Sequence, residues 1–128
     1  LYNTPPTFAV YVSRLVCRWL GQEMGGLEKM AQRNREKANI LYRIIDKSQE
    51  FYAGHAQPDC RSMMNVTFRL PNDELQGQFI DDAEKKGLVA LKGHRSVGGI
   101  RASIYNAMPL AGVQALGQFM EEFRREHF

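Results

Sequence analysis

The spacing of apolar residues changes along this 128-residue chain, and that change restricts its fold more than any other feature. Over residues 62–70 apolar and polar side chains alternate. Met64, Val66, Phe68 and Leu70 point one way and Asn65, Thr67 and Arg69 the other, the period of a half-buried strand. Residues 100–105 repeat the pattern, with Ile100, Ala102 and Ile104 on one face and Arg101, Ser103 and Tyr105 on the other. Elsewhere the apolar positions recur at three and four, as on one side of a helix. Phe8, Val12, Leu15, Val16, Trp19 and Leu20 form one such stripe, and Leu27, Met30, Ala31, Ala38, Leu41, Tyr42 and Ile45 a second. Leu110, Val113, Leu116, Met120 and Phe123 form another near the end of the chain.

Punctuation sets the limits of these elements. Residues 1–7, with Pro5 and Pro6, read as an extended entry, because a proline disfavours the helical conformation in the residue before it. Gly25 and Gly26 end the first helix, and the second spans residues 27–48, with its other face charged. Asn72 is placed to cap a helix over residues 73–86, which Gly87 closes. Residues 88–91 read as a short strand, residues 92–99 as a loop, and the last helix starts near Pro109. The sum is an α+β domain over residues 8–128, a small sheet of about three strands packed against four helices. Ala9, Val10, Tyr11 and Cys17 make the first helix apolar on more than one side, so it is expected to have two partners, only one of them within this chain. The aromatic set Phe8, Trp19, Tyr42 and Phe119 is expected in the core and not as a base-stacking platform.

Composition narrows the function classes. Charged residues interrupt every hydrophobic run, so no membrane-spanning segment is expected, and no leader pattern follows Leu1. Cys17 and Cys60 lie far apart without metal-ligand spacing, which suits a reduced, cytoplasmic setting. A net charge of +3, without a dense basic run, mildly favours anionic partners and fits a small anionic substrate at least as well as nucleic acid, without choosing between them.

Residues 93–101 hold the most chemistry, with His94, Arg95 and Arg101 set around three glycines. Glycines let backbone approach a ligand, and two guanidiniums can each grip one end of a dianionic acid. The same pattern also reads as a turn bearing solvated or ion-paired arginines. His94 suits anion donation or proton transfer, or a purely structural place. Asn3 and Thr4 could donate to a phosphate or simply start a helix. No metal site is indicated. A free-standing small-anion-binding module and a basic nucleic-acid-binding domain stand as other readings; salt-dependent binding to DNA or RNA would single out the latter.

The run Gly-His-Arg-Ser-Val-Gly-Gly-Ile-Arg-Ala-Ser-Ile-Tyr-Asn-Ala-Met at residues 93–108 closely resembles the C-terminal signature of the phosphoserine aminotransferases. Tyr2-Asn3-Thr4-Pro5-Pro6-Thr7, Gly25-Gly26-Leu27-Glu28, residues 46–52, Met64-Asn65-Val66-Thr67-Phe68 and Pro109-Leu110 follow in the family's order. The resemblance implies the small domain of a fold-type I, homodimeric, pyridoxal-phosphate-dependent enzyme acting on small phosphorylated and dicarboxylic amino and keto acids. Its reaction would pass an amino group between glutamate and 3-phosphohydroxypyruvate in cytoplasmic serine biosynthesis. It also implies that Arg101 holds the substrate α-carboxylate, that His94 and Arg95 hold the distal phosphate or carboxylate, and that Asn3 and Thr4 reach the cofactor phosphate in the partner's active site. The match covers about the last third of the family's length. The large domain that residues 1–7 would enter from, and with it the Schiff-base lysine, is then expected outside this chain, which alone would be inactive.

Overall fold

A computed structural model describes residues 2–128. It comprises two compact units, Leu1–Arg33 and Asn34–Phe128, with the boundary inside the second helix.

In the first unit, helix α1 (Thr7–Gln22) starts after Pro6, whose φ of −73° suits helix entry. It ends where Gly26 N donates to Leu20 O at 2.8 Å, with Gly25 and Gly26 both at positive φ. No residue of α1 is buried, and Phe8, expected in the core, is 80% exposed. The expected burial of one side is therefore not found. A stripe that spreads round the helix identifies the helix without identifying what covers it.

Helix α2 (Leu27–Asp46) buries Ala38, Leu41 and Ile45 as the periodicity predicts, but Leu27, at its first position, is exposed. Two of its polar residues, Asn34 and Lys37, are buried as well. The Lys37 ammonium donates to the carbonyls of Ile104, Tyr105 and Met108 at 3.1, 2.6 and 3.2 Å. Asn34 Nδ2 donates to Asn106 Oδ1 at 2.7 Å. The face read as charged is thus partly buried at these positions, where the amine finds three acceptors in a turn some seventy residues further on.

The sheet has the order β1-β2-β3, all antiparallel, formed by β1 (Ala53–Gly54), β2 (Asn65–Arg69) and β3 (Ile100–Ser103). Val66 stands opposite Ala102 and Phe68 opposite Ile100, so the two alternating patterns bury the same face. Helices α3 (Asp73–Lys85) and α4 (Leu110–His127) join α2 around that face. Its centre is aromatic: the Tyr52, Phe68, Phe79 and Phe123 rings meet edge to face at 5.2, 5.9 and 5.1 Å in turn. Asn72 caps α3 through an acceptor 2.8 Å from Leu75 N, and Gly87 closes it at φ +78°. Residues 88–91 do not form the expected strand. Ala90 sits at φ +61°, which interrupts any extended run, and the third strand is the dipeptide Ala53–Gly54, too short to leave an alternation. Among the described residues, no helix is long and apolar enough to cross a membrane.

Two stability experiments follow from this packing. Lys37→Met leaves the Ile104 and Met108 carbonyls without a donor and Tyr105 O with Met108 N alone, around a side chain of similar length, and urea denaturation should show a loss of about 2–4 kcal/mol. Asp46 accepts both guanidinium N–H groups of Arg61 at 2.8 and 2.6 Å, and these bonds hold its carboxyl below the usual range. Its contribution is therefore present above the ordinary aspartate pKa and is lost as the pH falls through the lowered one. Because the Asp46 side chain is half exposed, Asp46→Asn should remove only about 0.5 kcal/mol of acid-sensitive stability.

Candidate functional site

Two strands of the sheet present a second, polar face. Arg101 stands opposite Thr67 on it, and Ser103 opposite Asn65. Ser103 Oγ and the Tyr105 hydroxyl lie 3.4 and 3.3 Å from Asn65 Oδ1. Arg101 N donates to Leu91 O at 2.7 Å, so β3 is held on both edges at this position. The Arg101 guanidinium is half-buried, and its Nε is buried without a hydrogen-bond partner among the described residues. A buried donor left open on a rigid strand is suited to an anion brought from elsewhere.

The chain leading to β3 is a closed hairpin. Gly93 N donates to Gly99 O at 2.8 Å, and Val97 N and Gly98 N both donate to His94 O, at 2.9 and 2.7 Å. Geometry accounts for two of its glycines. A Cβ on Gly93 would come within 2.0 Å of Gly98 O. At Gly99, a Cβ would lie 2.8 Å from Phe68 O, and φ is +74°.

Around this turn the side chains are free to act. Arg95 is exposed and forms no hydrogen bond or ion pair among the described residues, which removes the ion-paired reading for both arginines. Ser96 N donates to His94 Nδ1 at 3.3 Å, and Ser96 Oγ lies 2.7 Å from the same nitrogen. A ring nitrogen that accepts from an amide carries no proton, and the tautomer that allows this contact has its N–H on Nε2. The hairpin carries His94 and Arg95 on its turn and leads directly into the strand that carries Arg101, and neither arginine has an acidic partner among the described residues. Asn3 and Thr4 belong to the first unit, where both are exposed and neither side chain is hydrogen-bonded among the described residues.

Sequence reasoning missed two neighbours of the turn. Arg69 Nη2 donates to Val97 O at 2.9 Å, and His55 Cε1 would meet a Cβ on Gly99 at 3.1 Å. Arg69 was legible only as a polar-face strand residue; the register that aims it at the turn was not. His55 follows β1, the strand that left no pattern. No group of three or more His, Cys, Asp or Glu among the described residues is placed to hold a metal, and Cys17 and Cys60 are free thiols.

Residues 1–116, which include the hairpin and all three strands, match the family model described as aminotransferase class-V. The chain belongs to that family. Among its relatives, the phosphoserine aminotransferase of Rhodopirellula baltica is 65% identical over 122 residues, covering 95% of this chain and 32% of its own length. The enzyme of the same name from Halalkalibacterium halodurans is 54% identical, covering 99% and 35%. In structure, the phosphoserine aminotransferase of Bacillus circulans subsp. alkalophilus superposes with a TM-score of 0.92 at 52% identity, covering 99% of this chain and 35% of that one. The PLP-bound phosphoserine aminotransferase of Trichomonas vaginalis gives 0.84 at 41%, covering 94% and 34%. The chain therefore spans about a third of the length of the relatives it matches.

The glycine geometry yields a direct test. Gly93→Ala should open the base of the hairpin, so that the residue-93 amide loses hydrogen-exchange protection and stability falls by about 1–3 kcal/mol. Gly98→Ala meets no atom; it should cost only the left-handed backbone penalty, about 1–2 kcal/mol, and leave the residue-93 amide protected.

Proposed function

We propose that the chain is the C-terminal part of a pyridoxal-phosphate-dependent phosphoserine aminotransferase, and that it supplies substrate recognition to that enzyme. The observation that carries the reading is the hairpin itself, with Arg101 fixed on β3 and Arg95 free in the turn, both without anionic partners. Residues 1–7 would lead in from a large domain, and residues 8–128 would form the small one. In this reading the enzyme is a cytoplasmic homodimer that passes an amino group between glutamate and 3-phosphohydroxypyruvate.

Each residue's part follows from its place. Arg101 holds the α-carboxylate common to all substrates, because a guanidinium on a strand fixed at both edges sets that end of the molecule at a constant position. His94 Nε2–H and Arg95 receive the distal group, either a phosphate or the side-chain carboxylate of glutamate. Their place on a turn lets one site accept two anions of different size. Asn3 and Thr4 offer an amide N–H and a hydroxyl just ahead of the α1 N-terminus, a donor set that fits the cofactor phosphate. The two residues would hold it in the partner subunit's site. Bound pyridoxal phosphate supplies the electron sink for amino-group exchange. No lysine of this chain is assigned to anchor it. The buried one, Lys37, commits its ammonium to three backbone carbonyls.

The division of labour is testable in a polypeptide of the relatives' full length carrying this chain. Arg101→Ala should raise KM for glutamate and for the phosphorylated acid alike, by about 10–100-fold for a lost charge-assisted pair. Arg95→Ala should raise KM for the phosphorylated acid selectively, by roughly tenfold. Steady-state kinetics with both substrates reads the difference, and equal losses in both variants would contradict the assignment.

A further inference from the structure

We propose that Arg69 is a positioning residue for this site, fixing the separation between the His94–Arg95 turn and Arg101 and so the length of dianionic acid that the site accepts. This rests on the functional reading just given and adds a residue to it.

The argument begins with the joint between the two anion-holding arms. Arg101 is carried by β3, while His94 and Arg95 are carried by the turn before it; Gly98 and Gly99 lie between, both at φ +74°. A Cβ on Gly98 would meet nothing, so that position is not restrained by packing. Gly98, in open space, gives the tip of the turn a joint at which it can tilt relative to the strand, whereas Gly99 is packed against Phe68 O. Room for such a tilt exists, because Arg69, Gln76, Val97, Gly98 and Gly99 line an open cleft of about 550 Å³ beside the turn.

Within the hairpin, the hydrogen bonds do not prevent this motion. Those from Val97 N and Gly98 N to His94 O close the turn upon itself, and that from Gly93 N to Gly99 O closes its base. Arg101 N to Leu91 O and the Lys92–Ile100 bridge join the base of the hairpin to β3, but none of these bonds ties its tip, residues 94–98, to β2. Arg69 does. It starts from β2, diagonally across from Arg101 on the same face, and its Nη2 reaches past both glycines to Val97 O at 2.9 Å. Its stem supports the joint, since a Cβ on Gly99 would lie 3.2 Å from Arg69 Cγ. Arg69 forms no ion pair among the described residues that would draw it away from this carbonyl. Arg69 and Arg101 both stand on strands in fixed register, so the bond to Val97 transmits the sheet's rigidity to the otherwise hinged arm.

The test uses Arg69→Met, which keeps a stem beneath Gly99 and removes the donor, and Arg69→Lys, which keeps a donor, in a polypeptide of the relatives' full length. Arg69→Met should raise KM for the phosphorylated acid about tenfold, the worth of one charge-assisted hydrogen bond. Its kcat should change little, and Arg69→Lys should recover most of the loss. In an Arg95→Ala background, Arg69→Met should add almost nothing, because the arm it positions has lost its guanidinium. Amide exchange at Val97 and Gly98 should be faster in Arg69→Met than in the parent. An unchanged KM, or a full penalty in the Arg95→Ala background, overturns the proposal. If Arg95→Ala alone leaves KM unaltered, the functional reading fails instead. The exchange rates at Val97 and Gly98 then decide the role of Arg69, with unchanged rates overturning it.

Discussion

The second unit depends on one buried ammonium. After β3 the chain turns at once into α4, and a turn outside helix or sheet leaves some of its carbonyls without ladder partners. Lys37 gathers three of them, from Ile104, Tyr105 and Met108, and Asn34 takes up Asn106 one helical turn away. Burying a lysine is costly unless every neighbour repays it. Here two of the acceptors, the carbonyls of Ile104 and Met108, have no backbone donor of their own, and the third, Tyr105 O, also accepts from Met108 N at 2.9 Å. The result fixes where β3 ends, and with it the strand that presents Arg101.

On that fixed strand the site divides into a rigid arm and a jointed one. Arg101 inherits its position from two edges of hydrogen bonding, whereas Arg95 and His94 inherit theirs from a turn closed by its own backbone. Such a division suits a site that must hold one group common to all its substrates and another that varies. It also explains why glycines are needed. Gly93 and Gly99 permit approaches of backbone to backbone that no side chain allows, and these approaches bring the turn close to the strand it serves.

The two strongest strand patterns were legible because alternation survives whatever the strands pair with. Val66, Phe68, Ile100 and Ala102 are all buried as their spacing predicts. Asn72 and Gly87 were legible because capping is local. What the sequence hid was non-local. Lys37 reads as part of a charged face until the carbonyls of residues 104–108 are brought to it. β1 is two residues long and has no period. Residues 88–91 look like a strand by composition, yet one left-handed residue, Ala90, removes them from the sheet. Phe8 and Leu27 obey helical spacing without being buried. At the site, the residue types and the family resemblance marked the hairpin, but the unpaired state of its arginines and the reach of Arg69 follow from the β2–β3 register.

That register makes β2 the strand through which core and site communicate. Its five residues alternate between two tasks. Val66 and Phe68 face inward, where Phe68 lies edge to face with Tyr52 and Phe79. Thr67 and Arg69 face outward, opposite Arg101 and beneath the hairpin. The backbone of the same Phe68 sets the height of the hairpin, since its carbonyl leaves no room for a side chain on Gly99. A close-packed interior transmits displacement instead of absorbing it. A shift of the Phe68 ring therefore moves the carbonyl against which Gly99 rests and the neighbouring guanidinium that holds Val97. Aromatic packing on one face of the sheet thus limits how far the His94–Arg95 turn stands from Arg101 on the other.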